Sequence, residues 1–193
     1  MPEWEEFALT GDEFLAAYAL SSGLVRATPY LIGHATELYL KAAYAAHLGA
    51  GKSLAELRRE FRDNFNGGHN LKALWDALKQ QDGFMPDFNI REDLYEVPYV
   101  DKGLKMGLSE EDLAHLGVNF EWYFIFRHHN ELRYPVEQPL SYFFSWPGDF
   151  WVKFFKDLRI FIGYPRSGGA DHLVQVLEHV PPNGRAYLSR IIS

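Results

Sequence analysis

Apolar residues recur at spacings of three and four along most of this chain, whereas alternating strand patterns are scarce. Such spacing places apolar side chains on one face of a helix. The clearest predicted helix runs from Pro29 to about Leu48, because Thr28 is a suitable N-cap, Pro29 fits the first helical position and glycines follow Leu48. We therefore predict an all-α fold, an up-down bundle of five or more helices with a C-terminal helical extension.

Capping residues and glycine or proline breaks delimit the other predicted helices. Asp12 is predicted to cap the first helix, Ser53 the third and Asn70 the fourth. Glu56 completes a capping box with Ser53. The third and fourth helices are predicted to end near residues 65 and 81, and later helices are predicted at 109–134 (one helix or two), 148–162, 171–179 and 185–192.

The chain of 193 residues is long enough for one domain with an elaboration. Residues 1–163 are predicted to form the bundle, interrupted by a long surface excursion at 82–108. Residues 164–193 are predicted to form a C-terminal extension that packs on it, after a linker that begins at Gly163.

Composition excludes several classes of protein. Cysteine is absent, so disulfides, thiolate metal sites and cysteine nucleophiles are excluded. The formal net charge of −7 disfavours a non-specific nucleic-acid coat, which needs a basic surface. The acidic start does not resemble a signal peptide, and no apolar run is long enough to span a membrane. We expect a cytoplasmic protein without a membrane partner.

Two stripes of residues run along the predicted helix that begins at Pro29. One is expected to form the core seam and consists of Leu31, Ala35, Leu38, Ala42 and Ala45. The other contains Glu37 and Lys41, an acid–base pair at i,i+4 with apolar and aromatic flanks. This pair is either an ordinary surface pair or part of a half-buried polar cleft. For the cleft, we predict that Glu37 and Lys41 are buried and that His69 or Arg133 lies near them.

Three motifs stand in a characteristic order. They are Ala35-Thr36-Glu37-Leu38-Tyr39-Leu40-Lys41-Ala42, then Gly68-His69-Asn70-Leu71, then Leu132-Arg133-Tyr134-Pro135. Over roughly residues 11–163, the chain resembles one branch of the HEPN superfamily (higher eukaryotes and prokaryotes nucleotide-binding), with Asn70 where Asp is usual. The resemblance implies an up-down helical bundle that is commonly dimeric. Many such domains are metal-independent ribonucleases, and others bind nucleotides or have lost activity.

Ribonuclease members of that superfamily carry an Arg, four to six residues and then a His on the last core helix. The guanidinium steadies phosphate charge and the imidazole moves a proton. The corresponding helix here has Arg127-His128-His129-Asn130, which lacks this spacing. The pairs Arg62–His69 and Arg166–His172 have the spacing, but each spans a glycine break. We therefore assign no catalytic residue and predict that the usual nuclease site is absent.

Cationic side chains concentrate at the end of the predicted 109–134 helix. They complement the helix dipole, or they form an anion or nucleotide pocket. In the second interpretation, Arg133 clamps a phosphate, Tyr134 offers a stacking surface, and Arg127 and His129 add contacts. Metal ligation is not expected, because adjacent helical histidines diverge and the Glu-x-x-His pairs of a di-iron bundle are missing. No cofactor is expected.

Residues 142–155 are too aromatic for one buried stripe. The core stripe is predicted to be Trp151, Phe154, Phe155 and Leu158. Phe143, Phe144 and Phe150 are then in excess, and exposed aromatic residues in quantity indicate an interface. Either a two-fold homodimer or residues 164–193 would cover them.

These observations favour a HEPN-like helical module without the usual nuclease motif, which serves in nucleotide or RNA recognition or in partner binding. A nucleotide, an RNA or an antitoxin-like protein is the expected partner. The first alternative is an enzyme, a metal-independent ribonuclease of toxin–antitoxin or defence type. The second alternative is a purely structural protein-interaction domain.

Overall fold

A computed structural model describes residues 2–20, 27–85, 149–165 and 171–193, except for the side chains of residues 27–29, 149 and 150. These residues form seven α-helices and no strand, which confirms the predicted all-α class. The helices are α1 (Glu3–Leu20), α2 (Ala27–His47), α3 (Leu54–Asn64), α4 (Leu71–Leu78), α5 (Asp149–Ile162), α6 (His172–Val176) and α7 (Pro182–Ile192). None of these helices is long and apolar enough to cross a membrane.

Helix α2 is the central element of the described residues. Every residue from Ile32 to Ala45 except Leu38 is buried, and α1, α4 and α5 pack against it. A helix that is covered on several sides has no single core seam. The predicted seam is therefore partly wrong, because Leu31 and Leu38 are only half-buried whereas Tyr39 and Leu40 are completely buried.

The prediction that Asp12 caps the first helix is wrong. Helix α1 already begins at Glu3, and its first turn carries three acidic residues that complement the helix dipole. Asp12 therefore lies within the helix, where its completely buried side chain is paired with Arg159. A partner 147 residues away overrides the local preference of aspartate for a helix start.

The predicted caps of α3 and α4 are confirmed. Ser53 N donates to Glu56 Oε2 at 2.8 Å, and Glu56 N donates to Ser53 Oγ at 3.4 Å, which completes the capping box. Asn70 Oδ1 accepts from the backbone N–H of Ala73 at 3.1 Å. Helix α4 ends at Leu78, earlier than predicted.

The start of the predicted surface excursion at 82–108 also differs from expectation. Phe84 and Met85 are buried, and the Phe84 ring packs against Trp75 with centroids 4.6 Å apart. These two apolar side chains extend the core beyond the end of α4. The remainder of the excursion and the predicted 109–134 helix lie outside the described residues.

Helix α5 supplies the predicted aromatic stripe to the core. Trp151, Phe154, Phe155 and Leu158 are completely buried, which confirms this prediction. Phe143, Phe144 and the side chain of Phe150 lie outside the described residues, so the dimer surface stays a prediction.

The last two helices pack on the bundle. Helices α6 and α7 contact α1, and α7 also contacts α5. The Tyr187 ring meets the Tyr18 ring edge-on at 5.5 Å. Gly184 lets α7 approach α1 closely, because a Cβ at this position would lie 2.5 Å from the carbonyl oxygen of Ala19. Helix α7 starts at Pro182, ahead of the predicted Arg185. The division of the chain into two domains near residue 163 stays a prediction.

Candidate functional site

The first buried polar group, called the Glu37 cluster, consists of His34, Glu37, Lys41 and His69. Glu37 lies at its centre and is 3% exposed. Lys41 Nζ donates to Glu37 Oε1 at 2.5 Å, and His69 Nδ1 lies 3.1 Å from Glu37 Oε2. His34 Nδ1 is 3.8 Å from the same oxygen. One carboxylate therefore holds the lysine of its own helix and a histidine 32 residues further along the chain.

A tight glycine turn brings His69 to this carboxylate. The 3₁₀ turn Asn66–Gly68 follows α3, and Gly67 and Gly68 both have positive φ, at 72° and 85°. Such φ values favour glycine. A Cβ on Gly68 would also lie 1.8 Å from Lys41 Cε, so this position needs glycine for space as well. The turn thus fits directly against the Lys41 side chain.

Aromatic rings surround the Glu37 cluster. Lys41 Nζ lies 5.6 Å from the centroid of the Phe61 ring, and the His34 ring packs against Tyr30 at 4.4 Å and Phe14 at 5.0 Å. Burial of an ion pair among such groups is costly unless its geometry is good. The His69 side chain, at 26% exposed, is the member that solvent reaches. The cluster therefore presents an imidazole, oriented by a carboxylate, at the edge of a buried charge pair.

The second buried polar group, called the Arg159 network, consists of Asp12, Tyr39, Arg159, Tyr164 and Asp171. Arg159 Nη1 donates to Asp12 Oδ1 and, at 2.8 Å, to the Tyr39 hydroxyl. Arg159 Nη2 donates to Asp171 Oδ2 at 2.6 Å. The hydroxyls of Tyr39 and Tyr164 both donate to Asp12. The network joins α1, α2, α5 and the N-cap of α6.

Burial controls the protonation of this network. Desolvation raises the pKa of Asp12, although Arg159 and the two tyrosine hydroxyls act in the opposite direction. Desolvation also raises the pKa values of Tyr39 and Tyr164, and the neighbouring Asp12 carboxylate raises them further. For Arg159, burial acts to lower the pKa, but Tyr39 and the two aspartates hold it above the usual value. Arg159 and both tyrosines therefore stay protonated at neutral pH.

The sequence-predicted cleft residues divide into two sets. Glu37, Lys41 and His69 lie together, with the predicted burial of the first two. Arg133 lies outside the described residues, and so do the other members of the predicted anion or nucleotide contact, Arg127, His129 and Tyr134.

The Arg–His pairs with nuclease-like spacing do not form a described site. The Arg62 side chain is 70% exposed and donates to Asp63, whereas His69 contacts Glu37. Arg166 lies outside the described residues. Within the described ranges, no three His, Asp or Glu side chains are grouped so that they could hold a metal ion.

No motif in the sequence indicates the Arg159 network. Its hydrogen-bonded pairs are separated by up to 152 residues, so no local spacing relates them. One signal was available, because Arg159 stands four positions after Phe155 and three before Ile162, on the apolar face of α5. A charged residue within an apolar helix face requires a buried partner.

Comparisons with models of protein families, with curated proteins and with solved structures found no match to this chain. The two polar groups are therefore interpreted from their geometry. The Glu37 cluster has a member that solvent reaches, whereas every side chain of the Arg159 network is largely buried. The Glu37 cluster is thus the candidate for contact with a ligand.

Proposed function

We propose that this chain is a HEPN-like helical module, an up-down bundle that recognises a phosphate group of a nucleotide or RNA at the Glu37 cluster. The observation that supports this most is the contact between Glu37 and His69. It joins the helix motif around Glu37 to the Gly68-His69-Asn70-Leu71 motif, the two described segments that carry the resemblance. A shared structural role would explain why both motifs stand in one chain.

The chemistry of the cluster suits a phosphate. His69 is the most exposed side chain of the cluster, and an imidazole N–H can donate to a phosphate oxygen, while the Lys41 ammonium, which is bonded to Glu37, adds positive charge to the same cluster. A bound phosphate favours the protonated imidazole, because opposite charges stabilise each other. Glu37 contacts both side chains and fixes their positions. Arg127, His129, Arg133 and Tyr134 are proposed as further contacts, as the sequence predicts.

A metal-independent ribonuclease is the second candidate function. The Glu37–His69 contact favours it, because a carboxylate that orients an imidazole is a common arrangement of a general base. In that role, His69 would take the proton of a ribose 2′-hydroxyl as that oxygen attacks the phosphorus, and the bond from phosphorus to the 5′-oxygen would break as that oxygen takes a proton from water. Lys41 would stabilise the negative charge that develops on the phosphoryl oxygens. The missing Arg–His motif on the expected helix and the net charge of −7 favour the binding role. A homodimer and an antitoxin-like protein partner remain part of this proposal.

The test is a titration of the full chain with labelled single-stranded RNA and, separately, with a nucleoside monophosphate. We expect His69→Ala to weaken binding about tenfold or more, because a hydrogen bond to a charged group is lost. His179→Ala is the control, since His179 is an exposed histidine of the C-terminal segment. RNA binding should weaken with salt in proportion to the few phosphates contacted.

The same samples separate the two candidate functions. The binding role predicts intact RNA after incubation without added metal. Cleavage by the wild type that His69→Ala abolishes would establish the ribonuclease instead. Equal affinity of the wild type and His69→Ala, in samples with the same circular dichroism spectrum, would contradict both functions at this site.

A further inference from the structure

Within the described part of the chain, the Arg159 network has several hydrogen bonds to the bundle and one to the C-terminal residues 171–193. On the side of the bundle, Arg159 donates to Asp12 and to the Tyr39 hydroxyl, and Tyr164 adds a 2.8 Å bond to Asp12. On the other side, Arg159 Nη2 donates to Asp171 Oδ2. Among the described residues, Asp171 is the network's single member from residues 171–193. If this bond breaks, the other bonds of Arg159 remain.

Residues 171–193, which we call the C-terminal cap, form a small unit of their own. The cap comprises α6, the 3₁₀ turn Leu177–His179 and α7. Its buried apolar side chains are few, namely Leu173, Val180, Tyr187, Leu188 and Ile191. They lie on α1 and α5, where Tyr187 meets Tyr18. Contiguous units with few buried apolar contacts open at a lower free energy than the rest of a protein.

We propose that the C-terminal cap opens as a unit while the bundle stays folded. Asp171 is its latch, because the bond between Asp171 and Arg159 holds the cap closed. The Asp171 carboxylate serves two purposes, because Oδ2 binds Arg159 and Oδ1 accepts from Leu173 N at 3.0 Å as the N-cap of α6. The residue that binds Arg159 therefore also caps the first turn of α6. Opening uncovers the side of α1 around Tyr18 and Ala19.

Hydrogen–deuterium exchange of the full chain tests this proposal. Asp171→Asn keeps the size of the side chain and the N-cap acceptor but removes the charge that binds Arg159. We expect the amides of α7 to exchange about tenfold to a hundredfold faster in this variant, because a hydrogen bond to a charged group is weakened. The amides of α2 should keep their rates. Asp157→Asn is the matched control, since Asp157 pairs with Lys153 on the surface of α5.

Two results with the variant would overturn the proposal. Unchanged exchange of α7 in Asp171→Asn would show that Asp171 is no latch. Equal acceleration of α2 and α7 would show that the cap does not open separately. The wild type decides the matter even if the variant does not fold, because its α7 amides should already exchange faster than those of α2. Equal protection of the two helices in the wild type would contradict the separate opening of the cap.

Discussion

Two buried polar groups lie on opposite faces of one helix and differ in how the chain builds them. Glu37 and Lys41 project from one side of α2 and Tyr39 from the other, since successive helical residues turn by about 100°. The Glu37 cluster uses neighbours on α2 and one short turn. The Arg159 network gathers residues from both ends of the described chain.

The difference separates the proposed ligand site from a group that holds the helices together. In the Arg159 network, Asp12, Tyr39 and Arg159 are each at most 3% exposed, and every side chain meets a partner within the network. Such a group holds helices together. The Glu37 cluster ends in His69, which solvent reaches. A partly exposed imidazole that is oriented by a buried carboxylate is suited to bind a ligand or to transfer a proton.

The largest expected effect is that of Arg159→Met. The change leaves Asp12 and Asp171 without their guanidinium and should lower the free energy of unfolding by about 3–5 kcal/mol, the usual cost of breaking a buried ion pair. Chemical denaturation followed by circular dichroism measures it.

Arg62→Met is the matched control for this change. Arg62 pairs with Asp63 at the surface, where its side chain is 70% exposed, so we expect a far smaller loss of stability than for Arg159→Met. Equal small losses for the two variants would show that the Arg159 network does not support the fold. The contrast between a ligand site and an architectural group would then fail.

Local signals allowed much of the fold to be predicted. The capping box of Ser53 and Glu56, the Asn70 cap and the aromatic stripe of α5 each depend on residues within a few positions of one another. The Glu37–Lys41 pair is local in the same sense. His69 could be added because its motif appears together with the motif around Glu37 in the resemblance.

The Arg159 network could not be predicted in this way. Asp12 is a residue type that favours helix N-caps, and only its distant partner Arg159 explains why it is buried within α1. Tyr164 lies within the predicted linker that begins at Gly163, yet its hydroxyl binds Asp12. Interactions between residues more than a hundred positions apart leave no periodic pattern. Long-range polar pairing therefore has to be read from the structure.

Gly68→Ala has the second largest expected effect and tests the Glu37 cluster. A residue with a side chain at φ 85° costs about 1–2 kcal/mol, and the clash of its Cβ with Lys41 Cε should add about 1–3 kcal/mol. The free energy of unfolding measures the sum. Binding of labelled RNA should weaken as well, because Lys41 and His69 are displaced.

Gly51→Ala separates the two contributions. Gly51 has nearly the same φ, 86°, but a Cβ there would meet nothing within 4 Å. Its loss of stability should therefore match the backbone cost alone. If both alanine variants lose the same free energy, the turn does not constrain Lys41 and the proposed fit between the turn and the cluster is wrong.

Alkaline pH distinguishes the two groups by their tyrosines. Tyr39 and Tyr164 belong to the Arg159 network, and the Glu37 cluster contains no tyrosine. Burial raises the pKa values of both residues in the folded protein. In the unfolded chain, a tyrosine ionises near pH 10. Above about pH 10, unfolding thus releases protons, so the stability that these hydroxyls contribute is present below that pH and is lost as the pH rises.

The smallest expected effect is a change in this pH dependence. Urea unfolding of the wild type between about pH 9 and 12 should show stability falling with pH, by up to about 1.4 kcal/mol per pH unit for each buried tyrosine. Tyr39→Phe removes the more deeply buried of these two hydroxyls. It should therefore reduce by about one the number of protons that unfolding releases, and the decline of stability with pH should be correspondingly less steep. His69→Ala, in the Glu37 cluster, should leave the slope unchanged. Wild type and Tyr39→Phe with parallel pH profiles would show that the Tyr39 hydroxyl titrates as it does in the unfolded chain, against its burial beside Asp12 and Arg159.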